Sequence, residues 1–335
     1  MNYNFEPGLP HLNFMNNYKP ELTFDPACDY ADWREKVKVK FNEIIGDFPE
    51  KCDLNVHIDS ETETESFYEK RIIFTSEPCV DVLAYLLVPK QGKKPFPLVI
   101  CLQGHSPGVH ISLGRAKNEH EQALIAGDRD FALQVVKQGY AALAIEQRCF
   151  GERSQDEKKQ KNCTHSAMTS LLLGRTMIGE RIYDVSRAID AMAMFSEVDL
   201  SKIACMGNSG GGTTTYYAAI FDERISVAMP SCVVCTYKDS LGSIFHCPDN
   251  YLPRAYKYFE MGDLATLIAP RKLIVVAGDE DTIFPIHGVR EAYNTIERIF
   301  NAAGVADNCK LVVGNGPHRF YADDAWPVFN VLTGW

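Results

Sequence analysis

The sequence predicts an α/β fold: a mostly parallel central sheet with antiparallel strands at its N-terminal end and helices on both faces. Three observations carry this. Apolar and polar residues alternate over residues 53–76, as in antiparallel strands. After Pro89 the alternation gives way to short, solid apolar runs. Segments with apolar residues three and four positions apart separate those runs. Runs without alternation suit strands buried on both faces of a parallel sheet, and strand alternating with helix implies helices on both faces.

In chain order, residues 1–28 are rich in Pro and Asn and read as a surface wrap. A helix follows over 30–45, with Trp33, Val37, Phe41 and Ile44 on one face. The alternating stretch 53–76 comes next, then the strand V-D-V-L-A-Y-L-L-V at 80–88. Buried strands are expected at 98–102, 141–145, 203–206, 225–229, 273–277 and 311–313. Helices are expected at 128–138, closed by Gly139, at 180–195, and at 289–303, with Gly304 just past its end. This divides the chain into a wrapping segment and helix, 1–50, and a single domain, 51–335. That domain carries a cap-like insert near 232–262.

Bulk properties narrow the function. The chain has 335 residues and a net charge of −10, which argues against a general affinity for nucleic acid or acidic membranes. No apolar run approaches the roughly 20 residues that cross a bilayer. The start, M-N-Y-N-F-E-P-G, lacks a basic stretch followed by an apolar core. The eleven cysteines are odd in number and irregularly spaced, and Cys101 and Cys205 lie in apolar runs. Free thiols in a reducing cytoplasm fit better than a disulfide framework. A homo-oligomer is compatible with all of this.

The stretch M-G-N-S-G-G-G-T-T-T, 206–215, sits between an expected strand and an expected helix. Its glycines fit neither a dinucleotide fingerprint nor a Walker A loop, which would need a lysine. They do fit G-x-S-x-G, the tight strand-to-helix turn that exposes a serine nucleophile. Residues two before and two after the serine crowd each other there, so both must be small. Ser209 is therefore the expected nucleophile. A base and an orienting acid should follow, in loops after later strands. Of the histidines after Ser209, only His318 follows the last expected strand, in G-N-G-P-H-R-F. For the acid, G-D-E-D-T-I-F-P favours Asp281, with Asp279 and Glu280 as rivals. Two donors should meet the developing oxyanion. One is the backbone N–H of Gly210. The other is expected from His105, in the turn L-Q-G-H-S-P-G after the first parallel strand.

With these motifs in view, the chain resembles α/β-hydrolases of the acetyl xylan esterase and dienelactone-hydrolase-like group. The resemblance runs from about Val80 to the C-terminus. It rests on L-Q-G-H-S-P-G, A-I-E-Q-R-C-F-G-E-R, G-N-S-G-G-G, G-D-E-D-T-I-F-P and G-P-H-R-F. It implies the α/β-hydrolase fold and hydrolysis of short acyl esters, often acetyl groups on sugars, without a metal or cofactor. Two positions depart from the pattern: Gln103 replaces a His, and Cys149 replaces the Gly of R-G-x-G. A peptidase or carboxyl-methylesterase would share every catalytic residue, and a non-catalytic binder on the same fold is a further alternative.

The remaining expectations concern the pocket. Arg148 is a candidate for an ion pair or a substrate contact. In the aromatic insert, Phe245, His246, Tyr251 and Tyr256 are candidate substrate contacts. Cys232-x-x-Cys235 with His246-Cys247 resembles a zinc set, but the second pair is adjacent, where structural sites need intervening residues. Buried thiols and a pocket histidine are the preferred reading. Residues 155–170 are polar, with K-K-Q-K, and read as a flap or as plainly solvated charge.

Overall fold

The sheet sets the frame for everything else. In this computed structural model residues 4–155 and 163–335 are described; the K-K-Q-K run at 158–161 lies outside them. The described strands are β1 (His57–Glu63), β2 (Phe67–Glu77), β3 (Val80–Pro89), β4 (Phe96–Leu102), β5 (Ala141–Ile145), β6 (Val198–Asn208), β7 (Ile225–Ser231), β8 (Lys272–Gly278) and β9 (Cys309–Gly314). They form one sheet in the order β1-β2-β3-β5-β4-β6-β7-β8-β9. The β1/β2, β2/β3 and β3/β5 pairs are antiparallel, and every pair from β5/β4 to β8/β9 is parallel. The mixed sheet expected from the change of pattern after Pro89 is the sheet observed.

Ten α-helices are described: α1 (Leu9–Asn17), α2 (Tyr30–Ile44), α3 (Glu119–Leu124), α4 (Phe131–Lys137), α5 (Thr164–Leu172), α6 (Met177–Met192), α7 (Gly210–Phe221), α8 (Ala255–Tyr258), α9 (Ile286–Ala302) and α10 (Ala322–Thr333). They cover both faces of the sheet. Leu98, Ile100 and Leu102 of β4 enter a core shared with α2, α6, α7 and α9. Val99 and Cys101, pointing the other way, enter a core shared with α4 and α10. This two-sided burial is why the parallel strands read as solid apolar runs. By contrast β1, H-I-D-S-E-T-E, is exposed along its whole length, and its charges suit a sheet edge that must not recruit another strand.

The N-terminal region does more than wrap. Residues 9–17 form α1, a helix the sequence did not suggest, since it buries none of its residues. Helix α2 packs Trp33, Val37, Phe41 and Ile44 into the same core as α6, α7 and α9. The insert between β7 and β8 carries α8, and the N-terminal strap runs along it. The Leu22 N–H donates to the Tyr258 carbonyl at 2.6 Å, and the Tyr256 hydroxyl donates to the Met15 carbonyl at 2.7 Å. Tyr256, expected as a substrate contact, holds this strap instead.

Candidate active site

Ser209 is the single residue between β6 and α7. It follows the last residue of β6 and precedes the first of α7, with φ +58° and ψ −126°. Few non-glycine residues accept such a backbone. The surroundings impose it. The Ser209 N–H donates to the Ser231 carbonyl at 2.9 Å, and its carbonyl accepts from the Thr213 N–H at 2.8 Å. A Cβ on Gly207 would lie 2.6 Å from the backbone of Gly211, and one on Gly211 would lie 2.1 Å from the Leu102 carbonyl oxygen. The strand, the helix and the neighbouring strand meet here with no room for a side chain. Gly210, the first residue of α7, has an N–H with no acceptor inside the helix, at the end where the helix dipole favours negative charge.

Two loops at the carboxyl edge of the sheet supply the partners. Asp281 lies three residues after β8, and His318 four after β9. His318 Nδ1 lies 2.8 Å from Asp281 Oδ2. The other oxygen, Oδ1, accepts the N–H groups of Ile283 at 2.8 Å and Phe284 at 3.1 Å. Burial opposes the charge on Asp281, but the hydrogen bond to His318 and these two amides prevail and hold its pKa below the usual value. A buried carboxylate that only accepts requires a proton on Nδ1, which leaves Nε2 as the ring's acceptor. The rival Asp279 is spent elsewhere: it accepts the Gly316 N–H at 2.7 Å and so shapes the histidine loop. Phe284 stacks on the His318 ring, 5.8 Å between centroids.

A second histidine approaches Ser209 from the turn after β4. A Cβ on Gly210 would lie 3.0 Å from Nδ1 and 3.1 Å from Cε1 of His105. On its other edge, His105 Nε2 lies 3.1 Å from Oδ2 of Asp249, which is wholly buried and paired with Arg181 Nη1 at 2.7 Å. Burial works against a charged imidazole, yet the bonds to Asp249 and Cys163 prevail and hold His105 up at about 9. His105 also lines a cavity of about 770 Å³ on the β4–β5 side, with Tyr85, Val109, Leu124 and Glu146.

A family model described as the Abhydrolase family matches residues 8–302. The chain belongs to the Abhydrolase family. Its relatives include the Bacillus subtilis (strain 168) protein named "Putative hydrolase YtaP", 27% identical over 284 residues, which are 83% of this chain and 91% of that one. Among solved structures, a "putative acetyl xylan esterase" from Bacteroides fragilis is similar, with 18% identity and TM-score 0.77 over 93% of this chain and 83% of its own. A glucuronoyl esterase from Solibacter usitatus has 15% identity and TM-score 0.71, over 95% of this chain and 97% of its own.

In this Abhydrolase-family chain the two departures from the motif pattern have visible consequences. Gln103 is buried, and its amide donates to Ser112 and to the Arg129 carbonyl, at 2.9 Å for the latter. It ties down the turn that carries His105. Cys149 takes φ +72°, the region a glycine would occupy without strain.

The other candidates sort by what they touch. The three guanidinium nitrogens of Arg148 face Glu77, Glu180 and Asp184 at 2.7–3.1 Å, so its charge is spent on an ion-pair cluster rather than offered to a ligand. Phe245 is exposed, and the Tyr251 hydroxyl donates to the Leu241 carbonyl at 3.2 Å. His246 packs edge-on against Phe284, 5.4 Å between centroids, and so neighbours the His318 ring. Ser240 gives its one proton to the Ile283 carbonyl at 2.7 Å. His246 Nε2, 3.1 Å from the same oxygen, must therefore be the donor, and Nδ1 an acceptor.

The four residues of the alternative zinc reading do not come together. Cys232 donates to the Arg319 carbonyl at 3.2 Å, Cys235 faces the Pro285 carbonyl at 3.8 Å, and Cys247 lies with His105, Cys163 and Asp249. That last group brings four ligand atoms within 4.8 Å of one another. Arg181 already stands among them, 2.7 Å from Asp249 and 3.3 Å from Cys163 Sγ. Its guanidinium holds the place a metal cation would take. Asp249 and Arg181 are the residues the sequence reading missed. They reach His105 from the insert and from α6, and no local motif marks either.

Proposed function

We propose that this protein is a serine esterase, cleaving short acyl esters, above all acetyl esters of carbohydrates or similar small molecules, through an acyl-enzyme. The observation that carries the reading is the 2.8 Å Asp281–His318 contact, delivered by two loops to the edge of the sheet where the strained turn exposes Ser209. Ser209 attacks the ester carbonyl and His318 Nε2 takes its proton. Asp281 fixes the tautomer and stabilises the imidazolium. The N–H groups of Gly210 and His105 receive the oxyanion. His318 then protonates the leaving alcohol, and water activated by the same nitrogen releases the acid. His246, Phe245 and Tyr251 of the insert contact the substrate. Residues 51–335 carry all of the proposed catalytic groups. All eleven cysteines are free thiols, which suits a reducing compartment, the cytoplasm. No described helix is long and apolar enough to cross a membrane.

The acetyl preference is supported by the name of the Bacteroides relative, and the glucuronoyl esterase shares the fold. The test is a panel of acetyl, butyryl and longer p-nitrophenyl esters, acetylated sugars, a methyl uronate and a peptide. Acetyl esters should turn over fastest, and Ser209→Ala should abolish turnover while the protein stays folded. Full activity in Ser209→Ala overturns the mechanism. A preference for long chains, the uronate or the peptide overturns the substrate class.

A further inference from the structure

We propose that Cys232, Asp281 and His318 form a site for a thiophilic divalent cation, zinc foremost, and that the bound cation switches catalysis off. The inhibition rests on the serine-esterase reading. The metal site does not, since it needs only the three side chains.

Geometry carries it. The ligands come from the loops after three successive strands, β7, β8 and β9. The Cys232 sulfur, a carboxylate oxygen of Asp281 and a ring nitrogen of His318 all lie within 4.8 Å of one another. Thiolate, imidazole and carboxylate are the donors zinc takes, and three protein ligands with one open position suit it. A tetrahedral ion about 2.0–2.3 Å from each ligand holds them about 3.3–3.6 Å apart. His318 Nδ1 and Asp281 Oδ2, now at 2.8 Å, need only separate by about half an ångström to admit it. Each ligand is already held in place. Cys232 takes φ +50°, and its N–H donates to the Val276 carbonyl at 2.8 Å. Asp281 Oδ1 is fixed by the Ile283 and Phe284 amides, which leaves Oδ2 to face the site. Phe284 stacks on the His318 ring. Cys232 and Asp281 are buried, while the His318 side chain is 16% exposed and gives the cation an approach from solvent.

Charge and protons balance. As the ion binds, Cys232 releases its thiol proton to solvent and gives up its bond to the Arg319 carbonyl. The His318 ring stays neutral: its proton leaves Nδ1, which becomes a ligand, and one proton settles on Nε2. The thiolate and the Asp281 carboxylate then set two negative charges against the two positive charges of the ion, as a buried site requires. The cluster of His105, Cys163, Cys247 and Asp249 lacks this balance, because Arg181 already stands 2.7 Å from Asp249. With metal on Nδ1 and a proton on Nε2, His318 has no lone pair left to take the proton of Ser209. Magnesium, which prefers oxygen ligands, does not suit the site.

The test uses the full chain, with zinc chloride and, for spectroscopy, cobalt(II) chloride as probes. Ser209→Ala keeps all three ligands and is titrated with cobalt. A thiolate-to-cobalt charge-transfer band should appear and saturate at one equivalent. Adding Cys232→Ser should remove the band. Zinc affinity by calorimetry should then fall at least about 10²-fold, the loss that removing even an outer partner of a metal site can cause. Ser keeps the same Cβ as Cys, so the replacement adds no backbone strain. With Ser209 in place, zinc should inhibit hydrolysis of p-nitrophenyl acetate, EDTA should restore it, and magnesium should have no effect. Inhibition is read as the ratio of turnover with and without zinc, so each variant is its own reference. Melting temperatures show whether each variant is folded. Should Cys232→Ser fail to fold, Asp281→Asn, which removes one of the two negative charges, should lose zinc to the same degree. Absence of the band overturns the proposal, as does a band that survives Cys232→Ser or one lost in Cys163→Ser instead. Equal inhibition by magnesium, or zinc bound through Cys232 with turnover undiminished, also overturns it. Full activity in Ser209→Ala would sink the esterase reading, while the cobalt band still reports on the metal site by itself.

Discussion

Ser209 adopts φ +58° and ψ −126° because its neighbours leave no alternative, and that makes the glycines around it testable one by one. A Cβ on Gly211 would stand 2.1 Å from the Leu102 carbonyl oxygen, a backbone atom within the sheet. Gly211→Ala should therefore destabilise the fold by about 3 kcal/mol or more, the upper range for overpacking a core. Gly304, at φ +74° with open space around it, is the control. Gly304→Ala should cost only about 1 kcal/mol, for the left-handed backbone alone. Urea midpoints of the two variants check the contrast. Asp281 allows a second prediction. Its Oδ2 must accept from His318 Nδ1 while Oδ1 accepts two amides. In Asp281→Asn the amide nitrogen would face a ring nitrogen or two N–H donors, favouring the wrong tautomer. kcat on p-nitrophenyl acetate should fall on the order of 10³–10⁴-fold with the melting temperature little changed. These residues were readable because each sits at a fixed offset from a strand. Asp249 and Arg181 have no such offset, and only folding brings them to His105.

Helix α2 places Phe41 on Tyr217 of α7, 6.1 Å between near-parallel rings, inside the core that supports the Ser209 turn. If residues 1–50 only wrapped the domain, trimming this ring would be mild. The shared core predicts otherwise: Phe41→Ala should cost about 3–5 kcal/mol, as for other buried aromatic truncations. It should appear in one cooperative urea transition, not as the separate loss of a flanking segment. How legible each element was follows from how it is packed. The strands β4, β5, β7 and β8 are buried on both faces and read as solid runs within one or two residues of their ends. β6 begins at Val198, five residues before the expected run, because V-D-L-S-K has no apolar continuity. α4 starts at Phe131, not at 128, since Asp128 takes φ +58° and breaks the helix before it begins. α10 carries Pro327 inside it, and a proline there reads as a stop. Its other residues still bury Trp326 and Phe329, so tertiary packing overrides the local signal.

At the scale of the whole molecule, the buried charges set how stability responds to pH. Burial pushes Glu146 and Glu260 up to about 7 and Asp263 to about 6. Unfolded, all three would titrate near pH 4. Between those values the folded chain keeps protons that the unfolded chain releases, so stability falls as pH rises from about 4 to 7. His105 continues the trend: its folded pKa of about 9 exceeds the unfolded value, so its contribution is lost as pH rises through 9. On the acid side the direction reverses. Despite burial, arginine partners hold Asp184 and Asp249 far below the carboxylate range, and their contribution is lost only as pH falls below about 4. The urea midpoint should therefore peak near pH 5 and decline toward pH 9, each unit of retained shift being worth about 1.4 kcal/mol. Glu260 offers the cleanest check, because one oxygen, Oε2, accepts both the Tyr237 and Met261 amides. In Glu260→Gln the carbonyl oxygen can take both bonds with no charge to bury. That variant should match the wild type near pH 4 and exceed it at pH 8, flattening the decline between 5 and 7. A wild-type midpoint higher at pH 8 than at pH 5, or a decline of equal slope in the variant, would show that these carboxyls ionise as freely in the fold as in water.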